Sequence, residues 1–158
     1  MKLSFLIPFF LCALLYLSCK EAGISDSAAE QVRKEVRETL TNYHTEIRNE
    51  GLMAELKYLD TSAQFQWIPP GYEDPISYDS VVTILNRSVG LHGMIDSKWD
   101  SLTIEPISDT KANYSGIVSI QMTGISGEKS TAKLREQGVM IKRENGWKLL
   151  SGKTEEYL

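Results

Sequence analysis

This sequence of 158 residues contains little cysteine and little histidine. Its two cysteines, Cys12 and Cys19, both lie near the N-terminus, so the rest of the chain cannot form an internal disulfide and must be stabilised by packing. Its two histidines, His44 and His92, are far apart, and neither belongs to an HxH or HxxxH motif. A glycine-rich phosphate-binding loop is also missing. We therefore expect no metal site and no cofactor.

The chain also lacks any block of basic residues. It has 17 lysines and arginines against 21 aspartates and glutamates, for a formal net charge of −4. Proteins that bind nucleic acid neutralise phosphates with clustered positive charge. The composition therefore excludes nucleic acid as an expected partner.

A signature for nucleophilic catalysis is missing as well. A serine of the Ser-His-Asp type stands on a strained GxSxG turn. The segment Gly124-Ile125-Ser126-Gly127 approaches that pattern only in its letters. It is better interpreted as a polar hairpin loop.

Only one long apolar run occurs, Leu3 to Leu17, and Pro8 interrupts it. Lys2 precedes this run, and Ser18 and Cys19 follow it. The uninterrupted part is shorter than the roughly 20 apolar residues of a spanning helix. A positive charge, a short apolar core and a small residue are typical of a secretory signal.

Tyr16-Leu17-Ser18-Cys19 resembles the lipobox of bacterial lipoproteins. The resemblance implies lipid on the Cys19 thiol, cleavage before Cys19 and attachment to a membrane; Lys20 then points to the outer membrane. Departure from the pattern is confined to Tyr16, where the lipobox usually has leucine. The alternative is a plain signal peptide with an incidental cysteine. We predict a signal over residues 1–18, a tether over 19–26 and one domain over 27–158, with a net charge of −5 once Lys2 is removed.

Three helices are predicted in the first half of the domain. Ser27 to Glu30 fits a capping box, and an apolar stripe then runs to a stop at Gly51. The stripe consists of Val32, Val36, Leu40, Tyr43 and Ile47. A short helix carrying Leu52, Leu56 and Leu59 follows, and a third begins at Ser77 or Asp79 and ends near Gly90.

Strands dominate the second half. Residues 63–67 alternate as a first strand with Ala63, Phe65 and Trp67 inward. Four further strands are predicted near residues 99–107, 113–123, 131–143 and 147–154, the last two joined by a type I′ turn at Asn145-Gly146. Helices followed by a strand meander predict an α+β fold, with the helices packed on one face of an antiparallel sheet.

This order of elements resembles the nuclear transport factor 2-like superfamily, in particular its SnoaL-like and ketosteroid-isomerase-like bacterial members. Three segments carry the resemblance: the passage from Gly51 into Leu59-Asp60-Thr61-Ser62-Ala63-Gln64-Phe65, the helix around residues 78–85, and the closing hairpin over residues 139–149 with Gly146-Trp147-Lys148-Leu149. The resemblance covers residues 28–156. It implies a curved sheet wrapped around the long helix to form a cone with a pocket.

Isomerase chemistry in such a pocket needs a carboxylate base near the end of the first strand. Residues 65–70 contain none, and Asp60 is interpreted as a loop contact. Glu136 is the acid of interest, because it alternates with the apolar residues of its strand and would then face the pocket. The alternative is a bulge at Gly138 that turns Glu136 to solvent. His44 and Tyr43 border the same region, although an ordinary edge histidine is the simpler interpretation of His44.

Four aromatic residues could line an apolar ligand cavity: Trp67, Tyr78, Trp99 and Tyr114. The alternative is that at least half of them are ordinary core residues. Our first hypothesis is a lipid-anchored, non-catalytic module that binds a small apolar ligand or forms a homodimer through its sheet face. The second is a pocket enzyme, an isomerase, dehydratase or hydrolase, with Glu136 and His44 as acid and base and Tyr43 as hydrogen-bond donor. The third is an outer-membrane assembly partner.

Overall fold

A computed structural model describes residues 24–90 and 93–157 of the chain. The predicted signal, Cys19 and His92 lie outside these residues. The elements in chain order are α1 (Asp26–Glu50), a 3-10 helix (Leu52–Tyr58), β1 (Gln66–Ile68), α2 (Tyr78–Ser88), β2 (Met94–Ser108), β3 (Lys111–Thr123), β4 (Lys129–Arg143) and β5 (Gly146–Glu156). The predicted α+β fold is confirmed. Within the described part of the chain, no helix has the length and apolar character needed to cross a membrane.

The five strands form one sheet in the order β1-β5-β4-β3-β2. The antiparallel sheet predicted for the second half is confirmed for β2 to β5. The short edge strand β1 adds a parallel pair with β5, in which Gln66 lies opposite Ser151. No hairpin joins β1 to β5, so the connection does not impose an antiparallel direction.

The start of α1 differs from the prediction. Ser25 is the N-cap, and its hydroxyl accepts a hydrogen bond from the backbone N–H of Ala28 at 3.3 Å. Ser27, the predicted N-cap, lies inside the first turn, so the predicted capping box begins two residues after the observed N-cap. The predicted stop at Gly51 is confirmed by a φ of 88°, and its N–H donates to the Ile47 carbonyl at 2.9 Å.

Two strand details also differ from the prediction. The segment before β1 is a turn, in which the Phe65 N–H donates to the Ser62 carbonyl at 3.0 Å, and Ala63 is exposed instead of facing inward. The closing hairpin is confirmed, but no described non-glycine residue has a positive φ, so within Asn145-Gly146 only Gly146 has one, 103°. A type I′ turn needs positive φ at both central residues, so that prediction is wrong.

The buried side of α1 packs against the inner face of the sheet. One core cluster joins Val36 and Leu40 of α1 to Ile104, Met140 and Trp147 of the strands. A second cluster lies between the 3-10 helix, α2 and β1, and contains Leu59, Phe65, Val81 and Leu85. The space between these two clusters holds the candidate site.

Candidate functional site

A small cavity lies between α1, the 3-10 helix and the inner face of the sheet. Its volume is about 40 Å³. Because a water-sized group needs at least about 10–15 Å³, the cavity has room for about three such groups. Its lining residues come from almost every element: Thr39, Leu40, Tyr43, Glu55, Tyr58, Leu59, Trp67, Tyr114, Glu136, Met140, Leu149 and Thr154.

Glu136 faces this cavity from β4. The pairing of β4 with β3 is continuous from Lys111–Ile141 to Thr123–Lys129, so the inward alternation of β4 is kept through residue 136. The predicted alternative, a register shift at Gly138 that exposes Glu136, is wrong, because the only shift in β4 lies between Val139 and Met140 on its β5 side. Burial raises the pKa of Glu136 to about 7.

Gly138 has a packing function in place of the bulge. A β-carbon at Gly138 would lie 2.8 Å from the Tyr114 ring and 2.6 Å from the Ser151 carbonyl oxygen. The missing side chain thus lets the Tyr114 ring pack across β4 beside the cavity. Tyr114 itself is buried, with 7% of its surface exposed.

Glu55 is a second carboxyl in the cavity, and the sequence analysis missed it. It lies on the 3-10 helix and is only 8% exposed. Burial is the main cause that raises its pKa to about 7, the negative charge of Glu136 raises it further, and a hydrogen bond from Tyr43 acts in the opposite direction. Because two negative charges in one apolar cavity repel each other, the pair loses its two protons in separate steps.

Spacing places Glu55 near the apolar face of this segment under either helical period. With 3.6 residues per turn, Leu52, Leu56 and Leu59 share a face and Glu55 lies at its edge, about 40° from Leu59. In the observed 3-10 helix, three residues per turn align Glu55 with Leu52 and Tyr58. The signal that could have identified Glu55 is therefore its spacing of three residues from Leu52 and four from Leu59.

Hydroxyl and indole groups complete the polar lining. Burial, followed by the negative charges of the two glutamates, raises the pKa of Tyr43 and of Tyr114 well above the ordinary value, so both phenols stay protonated. They can therefore donate a hydrogen bond into the cavity. The Trp67 Nε1–H donates to the Thr154 hydroxyl at 3.2 Å, which fixes the indole at the cavity wall.

His44 is not among the residues that line the cavity. Its Nδ1 lies 2.6 Å from the Ser97 hydroxyl oxygen, and its ring packs edge-on against Tyr43 and Trp99, with centroid distances of 5.0 and 5.3 Å. Burial lowers its pKa to about 4, and its Nε2 has no hydrogen-bond partner among the described residues. Of the predicted acid–base set, the cavity therefore contains Glu136 and Tyr43. The second acidic or basic side chain in the cavity is Glu55 and not His44.

The four predicted ligand-binding aromatics divide into two pairs. Trp67 and Tyr114 line the cavity. Tyr78 packs edge-on against Phe65 at a centroid distance of 6.2 Å, and Trp99 packs against His44 and Tyr114. Tyr78 and Trp99 are thus partly buried side chains that pack against the two core clusters, and ligand contact by Trp67 and Tyr114 stays a prediction.

Asp60 has the loop role that was expected. Its carboxylate accepts two hydrogen bonds from Arg143, at 2.8 and 3.0 Å, and a third from the Ser62 hydroxyl. These contacts lower its pKa and occupy both oxygens, so Asp60 is not available as a base. Over residues 24–90 and 93–157, no three His, Cys, Asp or Glu side chains converge as a metal-ligand set.

Solved structures share this architecture of a long helix in a curved five-stranded sheet. A nuclear transport factor 2-like superfamily protein from Salmonella enterica serovar Typhimurium aligns with a TM-score of 0.65 and 17% identity, over 82% of this chain and 93% of that one. The chain has the nuclear transport factor 2-like fold. The resemblance predicted from the sequence is thereby confirmed at the level of fold.

Other proteins with the nuclear transport factor 2-like fold align with similar or higher TM-scores. A candidate scytalone dehydratase from Novosphingobium aromaticivorans has a TM-score of 0.75 and 9% identity, over 85% of this chain and 89% of that one. A hexachlorocyclohexane dehydrochlorinase from Novosphingobium barchaimii has a TM-score of 0.66 and 12% identity, over 85% and 92%. No protein-family model and no curated protein matches the sequence. Identities this low show the fold alone.

Proposed function

We propose that this domain binds a small molecule in its internal cavity and that Glu55 and Glu136 hold the polar part of that ligand. The observation that carries the proposal is the convergence of two carboxyls, from the 3-10 helix and from β4, in one cavity. Burial of an unpaired carboxylate costs free energy. Titratable groups that are buried at such a cost are typical of functional sites, where they interact with a ligand.

The remaining lining sets the character of the ligand. Leu40, Leu59, Met140 and Leu149 supply apolar wall, so the ligand is amphipathic. The cavity volume of about 40 Å³ admits only a small group. The rest of the ligand extends towards Thr39, Tyr58 and Trp67, which are partly exposed.

A fragment screen by ligand-observed NMR tests the binding proposal. The full chain in mild detergent is mixed with small amines, alcohols, amides and carboxylates. We expect at least one class to bind and to lose binding in the double variant Glu55→Gln, Glu136→Gln. Glu105→Gln, an exposed glutamate of β2, is the matched control and should bind as the wild type does. Absence of binding by every class, or equal binding to the double variant, contradicts the proposal.

Acid–base catalysis is the second candidate, and one observation favours it. Glu55 and Glu136 each have a pKa raised to about 7 and share the cavity with the Tyr43 hydroxyl. A pair that titrates near neutral pH can take a proton from one atom of a substrate while a donor stabilises the developing charge. A domain that catalyses this proton transfer would be an isomerase or a lyase.

Deuterium exchange separates the two candidates. Small ketones are incubated with the full chain in D₂O, and loss of the proton signal next to the carbonyl is followed by NMR. Enzyme-dependent exchange that disappears in Glu136→Gln would support catalysis. Binding without exchange would leave the non-catalytic function as the better account.

We also propose that lipid on Cys19 holds the domain in the bacterial cell envelope, at the outer membrane. This proposal rests on the resemblance of residues 16–19 to a lipobox and on Lys20. Cys19→Ala should release the protein from membranes, and continued co-sedimentation with membranes would refute the anchor. Native mass spectrometry of the same protein tests whether the proposed homodimer forms, and a monomer mass alone would contradict it.

A further inference from the structure

We infer that the polar group held between Glu55 and Glu136 is a protonated primary amine. This inference rests on the proposed function and names the ligand class of the same cavity. Four features carry it: the charge of the cavity, its aromatic walls, its size and its hydrogen-bonding capacity.

The cavity contains two acids and no fixed positive charge. None of its described lining residues is a lysine, arginine or histidine. The ion pairs of the described residues use other carboxylates, such as Asp60 with Arg143 and Glu35 with Lys142. Glu55 and Glu136 thus differ from these acids in having a shared space in place of a basic partner. A cationic ligand would supply the missing charge.

The walls of the cavity favour an organic cation over a metal ion. Tyr43, Tyr58, Trp67 and Tyr114 present four aromatic rings to the space. Aromatic faces attract ammonium groups, whereas Ca²⁺ takes six to eight oxygen ligands and Mg²⁺ keeps an octahedral shell. Two carboxyls among apolar side chains do not provide such a shell.

Size and hydrogen bonding select a primary amine among organic cations. The volume of about 40 Å³ is filled by an ammonium group and its first two carbons, and a third carbon in line extends towards the partly exposed Thr39, Tyr58 and Trp67. The four heavy atoms of a trimethylammonium group would all have to fit inside the cavity, which is too small for them. A primary ammonium has three N–H donors. The two carboxylates can accept two of them, and the phenol oxygen of Tyr43 or Tyr114, which line the same cavity, can accept the third.

Binding of n-propylammonium to the full chain at about pH 8 tests the inference, with n-propanol as the uncharged probe of equal length. Because charge-assisted hydrogen bonds are stronger than neutral ones, we expect the amine to bind more tightly by about tenfold or more. The preference should disappear in Glu55→Gln, Glu136→Gln and persist in Glu105→Gln. Tetramethylammonium should not compete.

The pH dependence on the unmodified protein gives a second readout that needs no variant. The titratable groups facing the cavity are Tyr43, Glu55, Tyr58, Tyr114 and Glu136. Only the two glutamates titrate near neutral pH, so affinity for n-propylammonium should rise between about pH 5.5 and 8 as they ionise. Affinity for n-propanol should not rise.

The outcomes separate the inference from the proposed function. Equal or tighter binding of n-propanol would overturn the amine inference while the cavity remained a binding site. Amine binding that survives in the double variant, or that does not change with pH, would place the amine elsewhere and also overturn it. Binding by neither probe nor by any fragment class would overturn both.

Discussion

Replacement of Glu55 by glutamine should make the protein more stable at alkaline pH and leave it almost unchanged at acid pH. Glu55 is 8% exposed, and its pKa rises from 4.5 to about 7 on folding, a span of about 2.5 pH units. At 1.36 kcal/mol for each unit, the charged form costs the folded state up to about 3 kcal/mol. Glutamine keeps the shape of the side chain and removes the charge.

The sign follows from the protons bound in each state. Because the folded pKa is above the unfolded one, the contribution of Glu55 to stability is fully present below about pH 4.5 and is lost as pH rises through about 7. The variant has no such contribution to lose. We therefore expect a gain of about 3 kcal/mol in the free energy of unfolding at pH 8, relative to the wild type, and a gain of about 1 kcal/mol or less at pH 5.

Urea unfolding of the full chain at pH 5 and pH 8 measures this difference. Glu38→Gln, an exposed glutamate of α1, is the matched control and should change stability by no more than about 0.5 kcal/mol at either pH. His44 changes the pH profile in the opposite direction between about pH 4 and 6.5, because its pKa is lowered to about 4, but this contribution cancels between wild type and variant. A loss of stability of equal size at both pH values would refute the assignment of Glu55 as a buried, destabilised acid.

Three further substitutions test the fold around the site. Gly51→Val should lower the melting temperature, because φ is 88° and ψ is 177° there, a region open to glycine in which a β-branched residue is strained by about 1–3 kcal/mol; an unchanged temperature would argue against the helix stop. Gly138→Ala should cost about 1–3 kcal/mol in chemical unfolding, since its β-carbon would lie 2.8 Å from the Tyr114 ring, and full stability would contradict that packing. Asp60→Asn should lower stability at pH 7 more than at pH 3, because the pairing with Arg143 depresses the pKa of Asp60; an equal loss at both would show that charge is not the cause.

Much of the fold was predictable from the sequence because its signals are local. The stripe of α1, the glycine after it and the alternation of β4 depend on residues a few positions apart. Local hydrogen bonds also explain the two errors in the predicted starts of α1 and β1. Ser25 and Ser27 are both suitable N-caps, and the Ser62 carbonyl draws the Phe65 amide into a turn before β1 can begin.

The candidate site was only half predictable. Glu136 and Tyr43 could be proposed from their positions on a strand and a helix, whereas Glu55 lies only at the edge of the leucine face of its short helix and was not predicted. His44 was proposed because it follows Leu40 on the buried stripe. Proximity on one helix does not tell which side chains reach the cavity and which pack against the next strand.

The sequence by itself determined which face of each element is apolar, where the helices stop and that acidic residues lie within apolar stretches. The tertiary structure decided which of those acids meet. The unbroken pairing of β4 with β3 turns Glu136 inward, and the packing of the 3-10 helix against α1 brings Glu55 to the same cavity. The physical reason is that strand register and the position of a short helix depend on contacts between distant segments, and those contacts close a cavity around charges that are far apart along the chain.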